Sequence, residues 1–472
     1  MNSLIGYAAY VPAGRLARQA ITQALGFGGG GGTRAVAAYD EDSTTLAVEA
    51  ARRALNQYDY TPTGIWLATT TPPYLDKTNA TAVHAALNLG PDVAAADVIG
   101  SVRSGLAAVE AAAALGGMAV LTDLRDGVPG SNEEATAGDG AVALLFGNDE
   151  EAIAVRLASS TSTGEFLDRW RVPGERHSQV WEERFGEIAY AEHVTSAWHR
   201  ALEAAGLTAG DLDHVVVTGL HTRGTAHAVR SLGIDPATLV PNRIDSVGNT
   251  GTSHWALMFA DALDRARPQE IIAVVTLSDG CHVQLWRVTA DIGRGRAALP
   301  VQDTISSGSR HVDYPRFLSW RGYLARESPR RPEPERPAAP PSRRMAGWKY
   351  GFNASADESG FVHMPPARVS LHTGSIDAMT PVSMAGRQGR IATFTVDRLA
   401  YSMSPPVVAA VIDFEGGGRF PCELTDVDAE SLAIGDTVEM TFRRLYSQGG
   451  VHNYFWKARP VAAETAKGGA QR

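Results

Sequence analysis

Apolar and polar positions follow two different rhythms along this chain. Over the first roughly 290 residues, β-branched runs alternate with alanine-rich segments whose apolar positions recur at helical spacing, as in an α/β layer architecture. Residues 44–57 (TTLAVEAARRALNQ) repeat small apolar residues at i, i+4 and i+8, as Leu46, Ala50, Ala54 and as Ala47, Ala51, Leu55, which predicts a helix. The runs 65–70, 141–146, 214–220 and 271–277 are continuously apolar and predict strands buried on both faces.

These elements fall into two similar halves. The first reads IWLATTT, helix, SVRSGLAAVEAAAAL, GDGAVALLFG; the second reads VVVTGLH, helix, GNTGTSHWALMFADAL, IIAVVTLSDGCHVQLW. In each, a strand ending in polar residues precedes a Gly/Ser turn that opens a helix, and a buried hairpin follows. Strand ends and helix N-termini from both halves are thus expected to converge on one central pocket.

The rhythm then changes. Residues 328–344 (SPRRPEPERPAAPPSRR) are dominated by proline and arginine, which predicts an extended linker, with a basic docking strap as the alternative. Beyond it, GRIATFTVDRL, PPVVAAVIDF, RFPCELTD, DTVEMTFRRL and NYFWKARP are five short strand-like runs at regular spacing, the pattern of a small all-β barrel. The expected organisation is a body over 1–325, a linker over 326–347, an intervening segment over 348–385, a barrel over 386–462 and a disordered tail over 463–472.

Composition narrows the chemistry. With 472 residues the chain accommodates two or three domains, and its net charge of -9 offers no electrostatic reason for a nucleic-acid partner. The barrel aromatics Phe394, Tyr401, Tyr446, Tyr454, Phe455 and Trp456 are accordingly expected in the core. No run of about 18 apolar residues occurs, and the opening residues lack a basic segment followed by an apolar one, so the expectation is a cytoplasmic protein without a membrane partner. Cys281 and Cys422 are the only cysteines, too few for a disulfide framework or a four-cysteine metal site.

Several stretches carry a resemblance, in order along the body: ATTTPPYLDKTNATAVHAAL (68–87), ADVIGSVRSGLAAVEAA (96–112), AGDGAVALLFG (137–147), RWRVPGERHSQVWEERFGEIAYAEHV (169–194), GLHTRG (219–224), SVGNTGTS (246–253) and VDYPRFLSWRGYL (312–324). They resemble bacterial and archaeal hydroxymethylglutaryl-CoA synthases and, more distantly, type III ketoacyl-ACP synthases of the thiolase superfamily. The fold this implies is duplicated α-β-α layers. The part beyond Trp348 resembles OB-fold subunits that bind acyl-CoA beside thiolase-like enzymes. In those a zinc ribbon with two CxxC pairs precedes the barrel; here Ala356, Ser359, Ser370 and Thr373 stand at the cysteine positions, so zinc is not expected.

The resemblance also locates a site whose main parts are missing. Condensing enzymes of this superfamily place a nucleophilic cysteine at a helix N-terminus; the matching position is Val102, and the family's general acid/base glutamate falls at Thr70. His221 and Asn249 match residues that hold the thioester carbonyl, an arrangement suited to an oxyanion. Ser101, Ser104 and Cys281 are the neighbouring nucleophiles, Cys281 having the alternative of a small buried hydrophobe. Tyr74 and Asp279 are candidate bases, and His254 is expected on a helix surface. Arg169 and Arg171 are candidates for the CoA phosphates.

With no cysteine to carry an acyl group, the expected chemistry is retro-aldol cleavage of a β-hydroxyacyl-CoA, which needs a base and an oxyanion hole but no covalent intermediate. The alternatives are a hydroxymethylglutaryl-CoA-synthase-like acyltransferase and a noncatalytic acyl-CoA-binding scaffold. The ligand implied is a CoA thioester, with no covalently bound cofactor. The resemblance further implies a homodimer or a complex with another thiolase-like subunit.

Overall fold

The computed structural model describes residues 2–58, 60–308, 310–327 and 335–461; the tail expected over 463–472 lies outside the described residues, as do linker residues 328–334. The described residues form two compact units, one within 1–37, 50–80 and 91–314, the other within 38–49, 81–90 and 315–472.

In the first unit the apolar runs form strands where their pattern placed them. In chain order these are β1 (Ser3–Tyr10), β2 (Gly64–Thr69), β3 (Ala94–Ile99), β4 (Gly117–Leu124), β5 (Asp139–Gly147), β6 (Ala154–Thr163), β7 (His214–Gly219), β8 (Ile271–Leu277) and β9 (Gly280–Val288). They make one sheet in the order β7-β8-β9-β6-β1-β5-β4-β2-β3. The expected duplication is visible in the strand directions: β1, β5, β4 and β2 are joined by antiparallel, antiparallel and parallel ladders, and β6, β9, β8 and β7 repeat that sequence. Within the sheet the halves meet where Leu4 pairs with Ala154.

Helices α1 (Ser104–Leu115), α2 (Glu183–Ala205), α3 (Thr222–Ser231) and α4 (His254–Arg265) complete the parts that matter for function. The two matching helices, α1 and α4, share one core: Leu106 and Val109 lie in the same buried cluster as Leu257 and Phe259, with Leu121 and Val142 of the sheet. Every residue of β5 and β8 is buried, as continuous apolar runs require. Asp123, at the end of β4, couples the halves through hydrogen bonds: it accepts from Thr69 Oγ1 (3.0 Å) and the Thr70 N–H (2.6 Å) of one, and from the Thr252 N–H (2.7 Å) and Oγ1 (2.8 Å) of the other.

In the second unit, β10 (Gln388–Asp397), β11 (Val407–Phe414), β12 (Arg419–Leu424), β13 (Thr437–Gln448) and β14 (Val451–Pro460) close a barrel in the order β10-β11-β12-β14-β13. Two sequence expectations need correction here. The cut near 325 is not a single one, because 38–49 and 81–90 cluster with the C-terminal segment. The described end of the linker is not extended: Ala339–Arg344 and Ala346–Lys349 are short helices. Prolines in the first helical turn, where no N–H is needed, and arginines in the last turn account for the former. Of the barrel aromatics Tyr454 and Trp456 are buried, whereas Tyr401 is 45% exposed.

The segment before the barrel forms a small sheet of Asn353–Ala356, Val362–His363 and Thr380–Ser383. At the positions where the resemblance implies cysteines, the serines face a carboxylate: Ser359 Oγ and Ser370 Oγ each donate to Asp357 at 2.6 Å, and Ser370 Oγ accepts from the Thr373 N–H at 2.9 Å. Hydroxyls closing on one carboxylate do not fit zinc, which takes thiolate, imidazole or several carboxylates; among the described residues no group of three His, Cys, Asp or Glu is placed to hold a metal. The Ser359 and Ser370 hydroxyls hold the Asp357 carboxyl below the usual range. Asp357→Ala is therefore expected to lower the melting temperature while chelator leaves that of the wild type unchanged; a chelator-sensitive wild type would contradict this.

Candidate functional site

His221 stands two residues past the end of β7 and caps α3: its Nδ1 accepts the Gly224 N–H at 2.8 Å. That bond puts the proton of the neutral ring on Nε2. Nε2 is buried and has no hydrogen-bond partner among the described residues. Its nearest carboxylate oxygen, Asp168 Oδ1, is 3.9 Å away, and the other oxygen of Asp168 accepts from Tyr190 Oη at 2.9 Å. Burial, then the Asp168 charge, push the Tyr190 phenol up, so it stays a hydrogen-bond donor.

His221, Asp168 and Asn249 line one cavity of about 490 Å³ together with Arg125, Glu133 and Arg169. Asn249 belongs to the turn before α4; its Nδ2 donates to the Gly219 carbonyl at 3.0 Å and its Oδ1 accepts the Gly251 N–H at 2.9 Å. The side chain thus straps the end of β7 to that turn and retains one N–H for a ligand. Glu133 accepts from both Arg125 (2.6 Å) and Arg169. Burial and the neighbouring Arg125 push the Arg169 guanidinium down to about 10. Arg171 donates to the Thr70 carbonyl and is not among the residues lining the cavity.

The glycine that opens α2 sets how closely that helix approaches. A Cβ at Gly186 would stand 2.5 Å from His221 Nε2 and 3.2 Å from Asp168 Oδ1. Gly186→Ala is expected to displace the imidazole and lower stability by about 1–3 kcal/mol. Denaturant unfolding identical to wild type would show that the ring has room to spare.

The other sequence candidates separate. Val102 is buried in the turn before α1, and Thr70 is buried with Oγ1 unpartnered among the described residues; neither lines the cavity. Ser101 Oγ donates to Asp279 at 2.9 Å. Cys281 is fully buried and its thiol is pushed up to about 12 by burial, which suits a small core residue and not a thiolate. His254 is not on a surface: it is 2% exposed, and burial pushes its imidazole down to about 4. The helical face carrying it is covered because α4 is a central helix, buried from His254 to Leu263. Sequence reading missed Asp168, Arg125 and Glu133. Asp168 lay just outside the RWRVPGE run, and no local pattern joins residues 125, 133 and 168.

Comparison with known proteins places this arrangement. Residues 382–443 match the family model of the ChsH2 C-terminal OB-fold domain. The hydroxymethylglutaryl-CoA synthase of Methanopyrus kandleri is 30% identical over 341 residues, covering 68% of this chain and 97% of the relative. That of Methanothermobacter thermautotrophicus is 30% identical over 346 residues, covering 69% and 99%. Among solved structures, MvaS in complex with 3-hydroxy-3-methylglutaryl coenzyme A superimposes with a TM-score of 0.55 at 19% identity, over 71% of this chain and 94% of that one. The type III 3-oxoacyl-(acyl carrier protein) synthase FabH of Pseudomonas aeruginosa PAO1 gives 0.52 at 22%, over 61% and 98%. The body is thus the thiolase-like fold expected from the sequence, followed by an OB-fold barrel. Among the described residues no helix is long and apolar enough to cross a membrane.

Proposed function

We propose, from the premise that the chain belongs to the hydroxymethylglutaryl-CoA synthase family, that it is a synthase-like acyltransferase making a carbon–carbon bond on a CoA thioester. The near-complete coverage of relatives named as synthases favours this over the aldolase expected from the sequence. Solved neighbours in complex with 3-hydroxy-3-methylglutaryl coenzyme A and with CoA support a CoA thioester as the ligand. The observation that carries the proposal is the buried Nε2 of His221, which has no hydrogen-bond partner among the described residues, at a cavity that Asn249 also lines.

In this reading Nε2–H of His221 and the remaining N–H of Asn249 donate to the thioester oxygen as it gains charge. Asp168 takes the proton from the carbon beside the thioester, the enolate attacks the carbonyl carbon of the second substrate directly, and the alkoxide formed there takes the proton back from Asp168, leaving a longer hydroxyacyl thioester and a free carboxylate. No acyl-enzyme forms, since Val102 offers no nucleophilic atom. Arg169 and Arg171, which the resemblance offered for the CoA phosphates, are already engaged by Glu133 and by the Thr70 carbonyl, and in this reading they keep those contacts and the phosphates lie elsewhere.

Asp168 also favours a second reading, aldol cleavage. There it accepts the β-hydroxyl proton, the Cα–Cβ bond breaks, a carbonyl product leaves, and the thioester enolate takes up the proton. Incubation with radiolabelled acyl-CoAs separates the readings. Label in a longer thioester with none on the protein is expected. Release of labelled aldehyde or ketone establishes cleavage, protein-bound label overturns direct transfer, and binding without turnover leaves a noncatalytic scaffold.

A further inference from the structure

The segment that carries Asp168 to the His221 site leaves several large apolar side chains in solvent. Val180 is 49% exposed, Trp181 55%, Phe185 58% and Ile188 72%, and Val128 across the cavity is 52% exposed. Single exposed apolar residues are ordinary, but so many in one short segment mark a surface that something covers.

Their placement relative to the cavity identifies what covers them. Val128 and Val180 line the same cavity as His221, Asp168 and Asn249 while also facing solvent, so the cavity wall runs outward into the apolar surface. The Trp181 N–H donates to the Asp168 carbonyl at 3.0 Å, so the surface starts at the backbone of the residue whose carboxylate faces His221. Trp181 packs on Trp170 with ring centroids 5.5 Å apart, which gives the shelf a rigid aromatic floor. Phe185 and Ile188, three positions apart on α2, continue it along one helical face, and Gly186, next to Phe185 in sequence, lies against the imidazole itself.

We propose, resting on the CoA-thioester reading above, that the acyl group is large and apolar: its carbonyl sits at His221 and its far end lies on the shelf of Val128, Val180, Trp181 and Phe185. A short acyl group would stop inside the cavity and leave the shelf bare. A long or polycyclic one buries it, and each methylene laid down there tightens binding by about twofold to fourfold.

The test is calorimetric titration of the full chain with CoA, acetoacetyl-CoA and a series of straight-chain 3-hydroxyacyl-CoAs of increasing length, on wild type, Trp181→Ser and Val180→Asn. Expected is an affinity that climbs with chain length, and a ratio of long-chain to short-chain affinity that falls about tenfold in each variant. Affinity independent of chain length overturns the proposal and leaves the thioester reading intact. So does a loss of CoA affinity in the variants as large as the loss for the long chains, which would assign the shelf to the CoA arm. Sedimentation showing a wild-type dimer that Trp181→Ser dissociates would give the shelf to a second copy and overturn it as well. If neither CoA nor any thioester binds, the thioester reading falls and the inference with it.

Discussion

Asp40→Asn should lower the stability of the C-terminal unit by about 3–5 kcal/mol, the cost of removing one partner from a buried ion pair. Asp40 is wholly buried, with Lys457 Nζ at 3.1 Å, Arg443 at 3.5 Å and the Thr425 hydroxyl at 3.1 Å. Lys457 and Arg443 have other carboxylates in Glu423 (2.9 Å), Glu41 (2.7 Å) and Asp426 (2.5 Å), so the loss falls nearer the lower bound. Replacing the whole Asp40–Lys457 pair with apolar residues of similar volume should cost much less, since no charge is then left unpaired. Urea unfolding of the full chain checks both, and equal losses for the single and the paired replacement would mean that packing, not charge, sets the effect.

The same cluster fixes a pH dependence. Burial alone would raise the Asp40 carboxyl, but Lys457 and then Arg443 outweigh it, and the net displacement is downward. A group lowered on folding contributes stability above its unfolded value, about 4 for aspartate, and loses it as pH falls through the folded value. Burial would lower Lys457, yet Asp40, Tyr39 and Glu423 hold it up, so its contribution is complete below about 10 and fades as pH rises beyond. The contribution of this cluster should therefore be flat between about pH 5 and 10 and fall on both sides, while the buried neutral His254 adds a loss of stability below about pH 6.5 and the buried Cys281 thiol one above about pH 9. Asp40→Asn should flatten the acid limb; an acid limb unchanged in that variant would assign it to other carboxylates.

How far such features can be read in a sequence depends on the range over which they are encoded. The strand over Ile271–Leu277 and the helix over Ser43–Leu55 are local: hydrophobic rhythm specifies them within a few residues. The duplication is legible because each half repeats a strand, a Gly/Ser turn and a helix. His254 was misjudged because a charged-type residue after a turn reads as exposed, whereas the second of two matching central helices has no exposed face in this stretch. Asp168 and the Asp40 cluster could not be read at all. Residues 40, 443 and 457 meet only after the chain has folded, and nothing near YDEDST in the sequence names its partners. The serine positions before the barrel show a mixed case: the loss of zinc ligands was legible, but the carboxylate they turn to, Asp357, was not.

For activity the largest effect should come from His221→Ala, with kcat lowered by about 10²–10³, the usual loss for one oxyanion donor, and a smaller change in KM. A structural objection is that His221 also caps α3, so a loss of activity could follow from a frayed helix. The ring's two nitrogens separate these roles. Nδ1 accepts the Gly224 N–H, while Nε2 carries the proton toward the cavity. In His221→Asn the amide oxygen stands near where Nδ1 was, so the cap persists, but no donor reaches the Nε2 position. The asparagine variant should therefore be more stable than the alanine variant by about 1 kcal/mol and yet equally inactive. Activity that tracks stability across the pair, with the asparagine variant close to wild type in both, would make His221 a helix cap and remove it from the chemistry.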